Sequence, residues 1–512
     1  MHFLKNKNHP YTQRNLIFFA TFRRVYAFFC YFCIHKKTRI MLIGREKEQQ
    51  RLIQAAHEEE SMFIALYGRR RVGKTYLVRE TFGEGFTFYH TGLANSTIKK
   101  QLAAWRLSLR EYGLRKAPLP HTWLDAFDAL KEIIRQSEEA KKIIFIDELP
   151  WLDTQRSGFV PALENFWNGW ASARKDIVLI VCGSATSWII RKILKNHGGL
   201  HNRVSIKIHL QPFTLHECEA YASHRKLGMN RRQLMECYMI MGGIPFYWSK
   251  LERGLSLSQN IDNLFFNPDG ELHDEYDELY ASLFKNPEPY ITIVRTLGTK
   301  RIGMTREELL AEAGIRDNGR VSEILQDLEA CGFIRKYANF RLKTKNAIFQ
   351  LIDSYTLFHH RFIHLNTGGD EHFWSRQTGS PLYYNWCGLA FERVCLLHIQ
   401  QIKKALGIYG TISRVCAWNL PATPDRHGAQ IDLLIDRDDQ VIDICEMKYT
   451  QQPYEITLEE EQKIQNRRLR FMAAIGTNKA IHLILVSASG VKRNAYSDEF
   501  QAIISADALF EK

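Results

Sequence analysis

The sequence has no paired-cysteine framework. Its ten cysteines are scattered, which excludes a disulfide-stapled scaffold and fits a reducing, cytoplasmic setting. It also lacks internal repeats and low-complexity tracts, so a solenoid or a collagen-like array is excluded. Long uninterrupted apolar runs are missing too. The Phe- and Tyr-rich stretch from Leu16 to Ile34 is broken by Arg23 and Arg24, each costing about 2.5–3.5 kcal/mol near the centre of an inserted helix. No small-residue cleavage site follows it, and neither a signal peptide nor a membrane partner is expected. Finally, residues 1–40 contain no acid. They hold eight Lys/Arg, and without them the net charge of +13 falls to +5 over the other 472 residues, too weak a field to define a partner. The globular pattern begins abruptly at Met41, so residues 1–40 are expected to be a non-native or disordered N-terminal extension. Cys30 and Cys33 lie within it and lack the second pair that a metal site needs.

A chain of 512 residues is too long for one core. From Met41 to about Leu251, β-rich runs alternate with longer helical stretches, the pattern of an α/β domain. Strands are expected at Met62–Tyr67, Gly85–His90, Lys142–Ile146, Asp176–Cys182 and Val204–Leu210. The first, third and fourth are almost wholly apolar, as parallel strands covered on both faces must be. The expected division is an α/β core over 41–212, a helical lid and connector over 213–270, a helical domain with a hairpin over 271–366 and a last α/β domain over 367–512.

Gly68-Arg69-Arg70-Arg71-Val72-Gly73-Lys74-Thr75 fits G-x-x-x-x-G-K-[ST] and stands between an apolar strand and a helix. Such a loop wraps phosphates with backbone N–H groups at a helix N-terminus, so all eight residues are candidate ATP-binding residues. Lys74 is expected to contact the β/γ-phosphates and Thr75 to ligate Mg²⁺. Lys142-Ile143-Ile144-Phe145-Ile146-Asp147-Glu148 supplies the acidic end of a second buried strand, with Asp147 for Mg²⁺ and Glu148 to polarise the attacking water. Ser184, at the end of the fourth strand, is placed to sense the γ-phosphate. Arg203, just before the fifth, could reach a phosphate of the same or a neighbouring subunit.

These motifs resemble the archaeal-type branch of the AAA+ ATPases. The resembling residues are Gly44-Arg45-Glu46, the Gly68–Thr75 loop, Phe145-Ile146-Asp147-Glu148-Leu149-Pro150-Trp151, Cys182-Gly183-Ser184, Asn202-Arg203, Leu210-Gln211-Pro212-Phe213 and Gly242-Gly243-Ile244-Pro245. The resemblance covers roughly 41–251. It implies the roles above for Lys74, Thr75, Asp147 and Glu148, and makes Arg203 an arginine finger that would act within a homo-oligomer. It also implies kinship with signalling ATPases as well as motor-like ones.

Beyond the lid, a helix at Glu288–Leu297 is followed by the capping box Thr305-Arg306-Glu307-Glu308, a third helix over 320–330 and an alternating, hairpin-like Phe333–Asn346. Three helices and a wing read as a winged helix. Its third helix carries Arg320, Ser322 and Gln326 but also Glu323, Asp327 and Glu329, acids that disfavour DNA phosphates. Arg335, Lys336, Arg341, Lys343 and Lys345 on the wing suit backbone contacts better. DNA reading and protein docking are both open to it.

In the last domain Asp432 lies on one expected strand, and Glu446 and Lys448 share one face of the returning strand. Two carboxylates and a lysine could hold Mg²⁺ and orient a hydrolytic water. The set resembles the D-x(n)-E-x-K signature of the restriction-endonuclease-like, PD-(D/E)xK, fold, with Gln430-Ile431 where that motif has its proline. Glu392, on an apolar helix ahead of the hairpin, resembles that fold's helical acid. The resemblance implies Asp432, Glu446, Lys448 and Glu392 as catalytic residues, Asp432 and Glu446 as metal ligands, and DNA as partner. His359, His360 and His364 lack a Cys or Glu partner nearby and are not expected to bind zinc.

Overall fold

The computed structural model describes residues 42–195, 198–337, 340, 347–420 and 428–512. The expected N-terminal extension and the wing residues Arg341, Lys343 and Lys345 lie outside them. Residues from Gly44 onward form one compact unit containing three sheets.

The first sheet is parallel, with strands β1 (Met62–Tyr67), β2 (Phe88–Thr91), β3 (Lys142–Asp147), β4 (Ile177–Gly183) and β5 (Ile206–His209) in the order β2-β3-β4-β1-β5. Every residue of β3 and β4 is buried, because helices cover both faces, as crossover connections require. Alternation along the strands sends Phe63, Ala65, Ile144, Ile146, Leu179 and Val181 into a core with Trp105, Trp123, Phe127 and Phe166. The second strand is shorter than expected: Gly85 and Phe86 precede it, and pairing with β3 starts at Phe88.

The lid helices carry their starts in the sequence. Thr214 with Glu217 and Asn230 with Gln233 form capping boxes for Leu215–Arg225 and Arg231–Met241, satisfying N–H groups that a helix leaves open. Farther on, helices Glu275–Leu283, Glu288–Gly298, Arg306–Ala313 and Gly319–Ala330 accompany a small antiparallel sheet, whose first strand lies between the second and third of them. Its strands are β6 (Met304–Thr305), β7 (Ile334–Tyr337) and β8 (Ile348–Leu351), in the order β6-β8-β7. The Thr305–Glu308 capping box is present.

The last sheet is mixed, β13-β12-β11-β10-β9, from β9 (Ser413–Leu420), β10 (Ala429–Arg437), β11 (Val441–Lys448), β12 (Ala480–Ser487) and β13 (Ala502–Ser505). The hairpin of β10 and β11 matches the sequence reading, whereas the two edge strands were not anticipated. The long apolar helix before them divides at His398 into Pro381–Leu397 and Ile399–Ala405. Among the described residues no helix is long and apolar enough to cross a membrane.

His398 has a reason to interrupt that helix. Its Nε2 accepts the Leu215 N–H at 2.9 Å and its Nδ1 donates to the Val394 carbonyl at 2.8 Å, tying the lid to the C-terminal domain. Burial lowers its pKa to about 4, against the pull of the Val394 carbonyl. The unfolded chain, with a histidine pKa of about 6.5, takes up a proton that the folded ring refuses. Stability from this group is therefore present above pH ~6.5 and lost as pH falls toward 4. His398→Phe should cost about 1–3 kcal/mol at pH 7 by stranding the Leu215 N–H. The gap to wild type should narrow at pH 5, as read by urea unfolding at both pH values.

Candidate functional site

The parallel register aligns the C-terminal ends of three strands, where α/β sheets place their ligands. Tyr67 pairs with Gly183, and Ile146 with Val181, so the loop after β1, Asp147-Glu148 and Ser184 share one edge. Gly68 has φ +150°, and a Cβ there would lie 2.3 Å from the Leu210 carbonyl oxygen; no side chain fits. Gly73, at φ +89°, precedes a helix with no side-chain cap, and a Cβ on it would enter open space. The first-turn N–H groups of Lys74–Phe82 are thus left for an anion.

The expected residues meet there. Lys74 is buried and its Nζ donates to the Gly68 and Arg69 carbonyls, both at 2.9 Å. The Thr75 hydroxyl donates to Asp147 Oδ2 at 2.6 Å. Asp147 Oδ1 accepts the Glu148 N–H at 2.9 Å. Glu148 sits in the left-handed region, φ +48°, and its Oε2 accepts from Ser184 N–H at 3.2 Å and Oγ at 2.9 Å. A lysine, an open helix N-terminus and a hydroxyl–carboxylate pair are the donor set that a nucleotide triphosphate with Mg²⁺ requires, so the residues fit that ligand.

The loop arginines do something else. Rather than facing phosphate, their side chains reach the segment beyond the lid. Arg69, 5% exposed, forms an ion pair with Asp353 and lies 4.5 Å from the Phe333 ring centroid. Burial opposes its charge, but Asp353 outweighs burial and the pKa rises. Arg71 pairs with Glu275 and, at 3.2 Å, with Glu278. Arg70 donates to the Glu278 carbonyl at 3.3 Å. The loop backbone serves the ligand side and the side chains the other.

Arg45 is a supporting residue whose task the sequence did not disclose. It is buried and donates to the Gln211 carbonyl at 2.7 Å and the Val72 carbonyl at 3.4 Å, bracing the loop against the strand-to-lid turn. The Gly44-Arg45-Glu46 motif marked its position but not its role. Arg203 is exposed, and its side chain forms no ion pair among the described residues.

A second cluster forms in the C-terminal domain. Leu433 pairs with Cys445 across β10 and β11. One step further along, Asp432 comes opposite Glu446. Asp432, Glu446, Lys448 and Glu392 line one cleft of about 820 Å³, together with Arg301, Arg361, Lys463, Arg467 and Arg470. Lys448 lies 3.1 Å from Glu446, and Arg467 pairs with the same carboxylate. Burial pushes against the charge of Glu446, yet Arg467 and then Lys448 hold its pKa below the ordinary value. Glu392 is 4% exposed; burial and the neighbouring Asp432 push its pKa up to about 7. Arg301, from the loop after Glu288–Gly298, pairs with Glu392 and reaches Asp432 at 3.2 Å. Among the described residues no group of three His, Cys, Asp or Glu forms a metal cage. As placed, these carboxylates answer guanidinium groups, so they do not fit a divalent ion in this arrangement.

The phosphate loop, its lysine and the acidic strand end together define a P-loop nucleotide-binding protein. More narrowly, residues 42–251 match the model of an ATPase domain found predominantly in Archaea, so the chain carries an ATPase domain of archaeal type. An uncharacterized protein of Methanocaldococcus jannaschii is 23% identical over 405 residues, covering 78% of this chain and 85% of that one. Among solved structures, a Walker-type ATPase of Pyrococcus abyssi aligns with 62% of this chain and 96% of its own, at TM-score 0.44 and 17% identity. The ORC2 protein of Aeropyrum pernix, in its ADPNP–ADP complexes, aligns with 67% and 98%, at 0.40 and 12%.

Asp353→Asn should lower stability by about 3–5 kcal/mol, because it leaves Arg69 charged and buried without its counterion. Adding Arg69→Met should restore much of that loss. Urea unfolding of both variants and of wild type reads the outcome; equal stability of single and double variants would contradict it.

Proposed function

We propose that the chain binds and hydrolyses ATP as an AAA+-type ATPase and couples its nucleotide state to a nuclease-like C-terminal domain acting on DNA. The observation that carries the hydrolytic half is the convergence of Lys74, Thr75, Asp147, Glu148 and Ser184 on one sheet edge. Lys74 is free to exchange two loop carbonyls for phosphate oxygens. Thr75 and Asp147 would hold Mg²⁺, which supplies charge neutralisation at the phosphates. Glu148 is the base that orients water, and its bonds to Ser184 occupy it until the γ-phosphate claims that serine. Arg203, exposed and without an ion pair among the described residues, is the finger offered to a neighbouring subunit in a homo-oligomer.

Three P-loop arginines bonded beyond the lid support the coupling. Residues 271–366 are read as a winged helix: three helices from Glu288 to Ala330 with a three-stranded wing sheet. Its third helix turns Asp327 onto the ATPase, pairing with Arg191 at 2.6 Å and accepting the Tyr290 hydroxyl at 2.8 Å. That contact favours protein docking over groove reading by this helix. Arg335 points inward, to Gln350, and leaves Lys336 as the described wing cation for a phosphate.

The carboxylate cleft, read as restriction-endonuclease-like, supports action on DNA. Its basic rim suits a phosphate backbone, and Asp432, Glu446 and Lys448 carry the chemistry. A metal ion would be held there only in exchange for Arg301 and Arg467, so metal-dependent cleavage would require both guanidinium groups to leave. The same guanidinium occupancy favours a second reading, a nucleotide-switched regulator whose C-terminal domain binds without cutting.

The test is ATP turnover and cleavage of plasmid and single-stranded DNA with Mg²⁺ or Mn²⁺. Lys74→Ala should abolish turnover, and Glu148→Gln should bind ATP while losing at least about a hundredfold in rate. Asp432→Ala and Glu446→Ala should abolish cleavage with turnover intact. Turnover without cleavage by wild type under any of these conditions would leave the regulator.

A further inference from the structure

A second cavity, of about 400 Å³, opens beside the carboxylate cleft and shares Arg301, Arg361 and Leu389 with it. Its walls come from the helices Glu288–Gly298, Ser354–Arg361 and Pro381–Leu397. They include Arg295, Lys300, Arg361 and Arg393 but no Asp or Glu. Lys300 is committed to Glu312 at 2.9 Å. Arg295 and Arg361 form no ion pair among the described residues, and Arg393 bonds only the Leu351 and Arg301 carbonyls.

Buried polar nitrogens without partners lie within its walls. Arg393 Nη1 and Trp386 Nε1 belong to side chains 4% and 3% exposed, and neither has a hydrogen-bond partner. The Nδ1 of His359, on the same wall, is also unpartnered. Buried polar atoms in folded proteins are nearly all satisfied. What faces the cavity is the charge of Arg295 and Arg361, exposed and without counterions among the described residues, and it calls for a negatively charged occupant. Inorganic phosphate alone would answer that charge and leave most of the volume empty, since ligand sites of about 300–1,000 Å³ hold whole small molecules. The remaining wall is apolar or aromatic, with Leu357, Trp386, Leu389, Ala390 and Tyr276, a surface for a flat ring.

We propose that this cavity binds a nucleoside monophosphate, with its phosphate on Arg295 and Arg361 and its base against the apolar wall. The occupant is either a free nucleotide or the 5′-terminal nucleotide of a strand that continues past Arg361 into the carboxylate cleft. The site is independent of the P-loop, and its occupancy does not depend on the cleft being a nuclease.

Binding is measured by calorimetry on the full chain carrying Lys74→Ala, which removes phosphate capture at the P-loop, without divalent metal. The probes are AMP, 5′-phosphorylated oligothymidylate and the same oligonucleotide without its phosphate. Saturable binding of a phosphorylated probe is expected. Arg295→Gln with Arg361→Gln, both exposed positions, should weaken it at least about tenfold with an unchanged melting temperature. Equal affinity for AMP and the phosphorylated strand identifies a free nucleotide; a strand preference that vanishes with the 5′-phosphate identifies a strand end. No saturable binding, or affinity unaffected by the paired arginine changes, overturns the proposal. Because no cleavage is read, failure here leaves the nuclease question untouched, and absence of cleavage leaves this site untouched.

Discussion

An arginine with its guanidinium almost wholly out of water is stable only beside a counterion, and in this chain that requirement is imposed on the phosphate loop itself. Arg69 leaves the loop between two glycines and finds its carboxylate at Asp353, 284 residues onward. Asp353 is in turn committed to the next helix, where its Oδ2 accepts the Thr356 N–H at 3.0 Å and the Thr356 hydroxyl at 2.6 Å. Neither residue can be moved without stranding a charge or opening a helix start. Arg71 repeats the arrangement at Glu275, which also accepts the Tyr247 hydroxyl at 2.5 Å. The nucleotide-binding edge and the segment beyond the lid are therefore packed as one object, and the domain divisions visible along the chain are crossed by its most demanding electrostatic contacts.

Much of this was legible wherever the cause is local. A six-residue apolar strand, a glycine loop and a helix follow one another without interruption, so Lys74 and Thr75 could be placed from sequence alone. The same holds for Asp147 and Glu148, whose position depends only on a buried strand ending at an acid. Capping boxes at Thr214 and Thr305 are local chemistry as well. What escaped is long-range. Nothing near Arg69, Arg70 and Arg71 distinguishes a phosphate contact from an ion pair formed hundreds of residues away. Edge strands β9 and β13 pair on one side only and carry weaker apolar patterning. His398 sits in an apolar helical run and discloses its role only through Leu215.

The C-terminal cleft shows the opposite balance. Pattern placed Asp432, Glu446 and Lys448 together, and the hairpin register brings them to one wall. Pattern could not show that Arg301 would come between Glu392 and Asp432. Burial of Glu392 first, and repulsion from the neighbouring Asp432 second, push its pKa up to about 7. An arriving guanidinium relieves that repulsion, which explains why an exposed loop residue is drawn into an acidic cleft. The charge of this cleft is thus set jointly by two parts of the chain.

The division of labour within the phosphate loop has a thermodynamic corollary. Its backbone faces the ligand while its arginine side chains hold distant carboxylates, so the two sets of contacts share the same few torsion angles. Any nucleotide that prefers one setting of those torsions biases the grip on Asp353 and Glu275 by a definite free energy. Reciprocity then requires that whatever tugs on those carboxylates change nucleotide affinity by the same factor. Seen this way, the loop is a two-way transducer. A molecule gripping the segment that holds Glu275 and Asp353 would then be felt at the phosphate loop as strongly as a nucleotide would be felt in that segment.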